Sequence, residues 1–202
     1  VIAPLMFVVI GRIVFPWITE NYYPNLVLFY PVFFMLFVIF IPMVFGFVAG
    51  FLIIDERDEN ILTVLRVMPI SRSSYLFYRM FLMIILSFIL VLLFPWLTGL
   101  IDVTFWDYLP IAILFAVFTP VLALIVTIIA TNKVQAFALF KTLGSVFMIP
   151  IFALAVEGWL QYIFSPIPNF WSFIALEYLL ESGTNNYLFI AIGFIYHCVI
   201  LG

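Results

Sequence analysis

Few side chains in this sequence can do chemistry, and their spacing decides what chemistry is open to them. Glu177 and Glu181 sit four residues apart and would share a helical face able to hold a cation, although a solvated acidic face accounts for them more simply. His197 is the only histidine and its neighbour Cys198 the only cysteine. Adjacent residues diverge on a helix, so the three or four convergent ligands of a zinc site are not assembled. A single thiol inside an apolar run reads as a small hydrophobe. No GxSxG, HExxH or GxxxxGK[ST] pattern occurs, and no nucleophile stands with a base near the middle of an apolar run. What remains is Arg12, alone in the first apolar run, and the segment 55–79, DERDENILTVLRVMPISRSSYLFYR, which carries eight of the seventeen formally charged side chains.

The elements that must position these groups are membrane spans. Hydrophobic residues make up 68% of the chain and charged ones 8%, the mean hydropathy is +1.35, and apolar runs of roughly 18 residues or more recur. The net charge of −3 excludes a basic face for nucleic acid. Runs bounded by charge, Pro/Gly or Asn clusters predict about six spans, at 1–18, 27–54, 76–99, 109–131, 134–156 and 187–202, in one membrane domain over 1–202. Backbone groups in lipid must pair within their own segment, and the strict alternation of a barrel is absent, so the expected fold is all-α. At roughly 1.5 Å per residue the second run is longer than the bilayer core and must tilt or project.

Basic residues set the expected orientation. Arg57, Arg66, Arg72 and Arg79 lie between spans two and three, Lys133 and Lys141 at the next turn on that side, and the opposite loops lack Lys and Arg. The positive-inside rule places this side and both termini in the cytoplasm. All five tryptophans, Trp17, Trp96, Trp106, Trp159 and Trp171, fall towards the other side, as an interfacial belt would. Lys133 and Lys141 then read as interface anchors, with Asn132 as a helix cap.

The insert cannot lie in lipid, where each charge would cost about 2.5–3.5 kcal/mol at mid-depth. Asp58 or Glu59 can cap a short helix whose apolar positions Ile61, Leu62, Leu65 and Met68 recur at helical spacing, and Pro69 ends it. The plain reading of the same residues is a solvated helix that merely connects two spans. In register, however, Glu56, Arg57, Asp58, Leu62, Leu65, Pro69, Ser71 and Arg72 match the first cytoplasmic loop of a known family. The chain resembles the membrane permeases of type-2 ATP-binding-cassette (ABC) exporters. It departs from their pattern at Glu59, Asn60, Ile61 and Met68.

The resemblance implies six spans, a cytoplasmic coupling segment at 55–75 and an outer-face re-entrant helical hairpin at 157–183, with Pro166 and Pro168 at its turn and Gly183 closing it. Independently, that second stretch is too interrupted to span and too apolar for a free loop. The resemblance also implies a separate cytoplasmic ATPase docking on Glu56, Arg57, Asp58, Glu59, Leu62, Leu65 and Pro69, and a second permease half, identical or related. ATP and magnesium would be used by that ATPase, and no cofactor or metal is expected in this chain. The setting implied is a bacterial or archaeal inner membrane.

Three further groups carry competing readings. Arg12 would contact an anionic part of a substrate, or snorkel to the interface, which is simpler. Gly46 and Gly50 form a GxxxG pair suited either to packing within the subunit or to the face meeting a second permease half. Phe33, Phe37 and Phe40, with Phe29 and Phe34, would line an apolar substrate path or simply meet lipid and core. The function expected is therefore an exporter subunit, not itself an enzyme, that passes a hydrophobic or amphipathic compound such as a drug. A secondary transporter would show repeated halves and ionisable groups within the spans, where only Arg12 qualifies. A non-catalytic assembly subunit is the other alternative.

Overall fold

A computed structural model describes residues 2–59, 72–156 and 158–202. Helix α1 runs over 2–21 and is interrupted by one wide turn of π-helix at Ile10–Val14. A 3₁₀ segment, Pro24–Phe29, leads into α2, Tyr30–Asp58. Then come α3, Arg72–Thr98; α4, Phe105–Ile129; and α5, Lys133–Met148, which tightens to 3₁₀ over Ile149–Ala155. A short 3₁₀ segment, Gly158–Phe164, precedes α6, Phe170–Ser182, and α7 is Tyr187–Leu201. No strand occurs among the described residues, so the all-α expectation holds.

Four segments are long and apolar enough to cross a membrane: Pro24–Asp58, Phe77–Thr98, Phe105–Ile129 and Lys133–Ala155. They correspond to predicted spans two to five. The first predicted span is the broken helix α1, and the last is the shorter helix α7. Several hydroxyls within these helices find acceptors in their own backbone, although those of Ser87 and Thr119 do not. Thr98, Thr142 and Ser145 bond the carbonyls of Phe94, Ala138 and Lys141 at 2.8, 3.1 and 3.1 Å, which lets a polar residue sit in an apolar phase without an external partner.

The centre of the bundle is the crossing of α2 and α4. Phe34, Val38, Ile39 and Ile41 of α2 and Ile111, Phe115, Phe118 and Leu122 of α4 are fully buried. Their approach is close because Gly46 and Gly50 face α4. A Cβ on Gly46 would stand 2.7 Å from the Thr119 carbonyl oxygen, and one on Gly50 would stand 3.0 Å from Val126. Both glycines are buried in this contact within the subunit. Helix α3 flanks this pair, and the Tyr108 hydroxyl of α4 donates to the Val91 carbonyl at 3.3 Å.

Two helix boundaries follow local chemistry read from the sequence. The Asn132 side chain accepts from the Gln135 N–H at 3.0 Å and so caps α5. Gly183 ends α6 in the left-handed region at φ 71°. Between Gly158 and Ser182 the chain forms a short helix, a turn holding Pro166 and Pro168, and a second helix packed on α7 and α4. This is the helical hairpin expected there, anchored where the Asn169 side chain donates to the Phe147 carbonyl.

Candidate coupling site at the charged end

Helix α2 does not stop where its apolar run stops. It continues one turn further to Asp58, so the first charged residues of the insert are helical and project in successive directions. Because α2 is central, each direction meets a different neighbour. Asp55 forms an ion pair with Lys133, the first residue of α5. Glu56, 4% exposed, forms an ion pair with Arg79 of α3. The Tyr75 hydroxyl donates to Glu56 Oε1 at 2.9 Å and accepts from Arg79 Nε at 3.3 Å. Arg57 Nη2 donates to the Ala130 carbonyl at 2.8 Å, at the C-terminal end of α4, where a cation also suits the helix dipole.

Three consecutive residues therefore tie the end of α2 to α3, α4 and α5. Glu56 is buried against Arg79, away from the surface a docking protein would meet, whereas Arg57 bonds the Ala130 carbonyl and stays exposed. Asp58 and Glu59 are exposed at the surface beyond them. Leu62, Leu65 and Pro69 lie outside the described residues. Arg79 and Lys133, which read as topology signals or anchors in the sequence, turn out to be partners, together with Tyr75, which carried no reading. The available signal was the four-residue spacing of Tyr75 and Arg79 on one face of α3.

The predicted path residues are placed elsewhere. Phe33 and Phe37 face α1, where Phe37 stacks on Phe7 with centroids 4.4 Å apart and Phe33 meets Phe15 edge-on at 4.7 Å. Phe40 lies beside Phe7 at 5.1 Å and also borders a shallow cavity between α2 and α5. The apolar corridor expected along Phe33 and Phe37 is thus filled by α1. Arg12 projects from the wide turn of α1 towards Gly99, where a Cβ would stand 2.5 Å from its Nη1. Its cation therefore reaches the end of α3 at the tryptophan side of the bundle, the geometry of snorkelling.

At that side Glu177 and Glu181 line a cavity of about 390 Å³ with Gln161, Tyr178 and Phe189. Glu181 is exposed, but Glu177 is half-buried rather than on a solvated face. Desolvation, with a smaller contribution from the Glu181 charge, pushes its carboxyl up to about 7. The Nδ1 of His197 is 2.7 Å from the Gly193 carbonyl within α7, and no cluster of metal-ligating side chains occurs among the described residues.

Long apolar helices tied to one another at one charged end define a multi-pass α-helical membrane protein. The chain belongs to the family described as "Fluoroquinolones export permease protein Rv2686c-like", which it matches over residues 1–202. Two relatives from Mycobacterium tuberculosis, the fluoroquinolones export permease proteins MT2760 (strain CDC 1551 / Oshkosh) and Rv2686c (strain ATCC 25618 / H37Rv), are each 26% identical over 191 residues. The alignments cover 91% of this chain and 76% of each relative. No solved structure matches the chain. The family bears out the reading of a membrane permease subunit.

Proposed function

We propose that this chain is the membrane subunit of an ABC drug exporter. Its substrates are hydrophobic or amphipathic drugs of the fluoroquinolone kind, and it is driven by a separate cytoplasmic ATPase that uses ATP and magnesium. The observation that carries the reading is the triple tie at Asp55, Glu56 and Arg57. A push on the insert reaches α3, α4 and α5 at once through the end of α2, which is what a coupling element must do. In this reading Leu62 and Leu65 fill an apolar groove of the ATPase, Pro69 ends the docking helix, and exposed Asp58 and Glu59 orient the approach. Glu56 and Arg57 transmit rather than dock. A second permease half, identical or related, completes the path. The charged end and both termini face the cytoplasm of a bacterial or archaeal cell.

Purification from the native membrane in mild detergent tests this directly. An ATPase should co-purify with the wild type and be lost from Leu65→Asp, with the helical signal and elution volume unchanged. Association that survives the substitution would remove the coupling role from the insert.

A further inference from the structure

Along the seam between α2 and α5 runs an apolar groove of about 330 Å³, at the lower end of the roughly 300–1,000 Å³ typical of small-molecule sites. Its walls are two edge-to-face ring pairs, each made by one ring from either helix. Phe47 meets Phe140 at 4.4 Å, and Phe51 meets Phe137 at 4.5 Å. Asp55 lines the charged end of the groove, and there it holds the Lys133 ammonium. Asp58 and Glu59 act on the same ammonium, so the mouth as a whole favours a cation.

The two ion pairs of this end differ in kind. Glu56 and Arg79 are joined through Tyr75, and the Glu56 side chain is only 5% exposed. Lys133 and Asp55 are 46% and 35% exposed. A partly exposed pair exchanges partners at lower cost than a buried one. Lys133 is in effect a tethered amine occupying an anionic site at the end of an aromatic slot.

We propose that this seam binds planar aromatic compounds carrying a protonated amine, the rings seated among Phe47, Phe51, Phe137 and Phe140 and the amine replacing Lys133 on Asp55. The proposal rests on the reading of the chain as a drug exporter and deepens it, since fluoroquinolones with a basic ring nitrogen have this chemistry. Ring faces that pack the aromatic body also attract the cation.

The test uses the full natural protein in phosphatidylcholine nanodiscs, with fluorescence titration of two probes. Ciprofloxacin has the basic amine, and nalidixic acid is a related bicyclic acid without one. Asp55→Asn should weaken ciprofloxacin about three- to fivefold, and Lys133→Gln, which removes the internal competitor, should tighten it about threefold. Neither should move nalidixic acid, while Phe47→Ala should weaken both probes about tenfold. A merely structural Lys133 predicts the opposite sign, and that result overturns the site, as does an equal response of both probes. Binding lost only in step with dissociation of the oligomer would assign the seam to contact between permease halves and also overturn it. If Asp55→Asn does not fold, the sign of Lys133→Gln decides. Drug accumulation in cells separates the two readings. Export that persists with binding unmoved by the substitutions sinks the site alone, whereas a wild type that neither binds nor exports sinks the exporter reading with it.

Discussion

At the charged end Asp55 and Glu56 each face a cation on another helix, and Arg57 holds the last turn of α4. At the tryptophan end Glu177 and Glu181 face each other across one helical turn, with no ion pair among the described residues. The polar contacts that do cross between elements there join uncharged groups, such as Asn185 to the Asp107 carbonyl at 2.9 Å, Tyr196 to the Pro166 carbonyl at 2.6 Å and the Thr19 and Tyr30 hydroxyls at 2.8 Å. The buried Glu56–Arg79 pair, joined through Tyr75, ties α2 firmly to α3, while the Asp55–Lys133 pair is the looser tie. Uncompensated acids make a region whose stability depends on proton concentration.

The sharpest way to break this comparison is to remove one charge of the buried pair. Glu56→Gln should cost about 2 kcal/mol, below the roughly 3–5 kcal/mol of a fully buried pair because the Arg79 side chain is 33% exposed. Thermal melts in detergent would show it, and the exchange Glu56→Arg with Arg79→Glu should recover part of the loss. No loss from Glu56→Gln would mean that the charged end is not bolted as described. A smaller effect, about 1 kcal/mol, is expected from Asn132→Ala, which deletes the cap of α5 beside Lys133 but leaves both ion pairs in place.

The smallest effect at fixed pH, and the most diagnostic of the opposite end, concerns Glu177. Its carboxyl titrates at about 7 in the fold against an ordinary value of 4.5, so the folded state holds the proton more tightly. The resulting stability is fully present below about pH 4.5, falls as pH rises and is lost above about 7. Melting temperature should therefore decline across that window, and Glu177→Gln should flatten the decline. A profile unchanged by the substitution would erase the contrast between the two ends.

Much of the architecture was legible because lipid leaves the chain few choices. Apolar run length marked the spans, and the chemistry of Asn132 and Gly183 marked two helix ends. The interruption by Pro166 and Pro168 marked the hairpin. The partners of Asp55, Glu56 and Arg57 were not legible. Glu56 could have faced water or any of several cations, and only the central position of α2 brings Arg79 to it across 23 residues of sequence. Glu177 misled for a related reason. Two acids four apart look solvated until a second helix and a 3₁₀ segment close around one of them. The rings of Phe33 and Phe37 gave no sign of their neighbour, because their contact depends on the phase of α1.

That phase is set by the wide turn at Ile10–Val14. In a regular helix the eight residues from Phe7 to Phe15 would carry the second ring about 80° around the axis from the first. The turn absorbs one residue, so the pair behaves as if seven apart and returns to within about 20°. Both rings can then lie on one side, against Phe37 and Phe33. The turn thus works as a phase corrector. Winding it into an ordinary helix at constant length would swing everything after it, Trp17 included, by about 100° relative to Phe7, whereas deleting one residue within 10–14 would leave both rings facing α2.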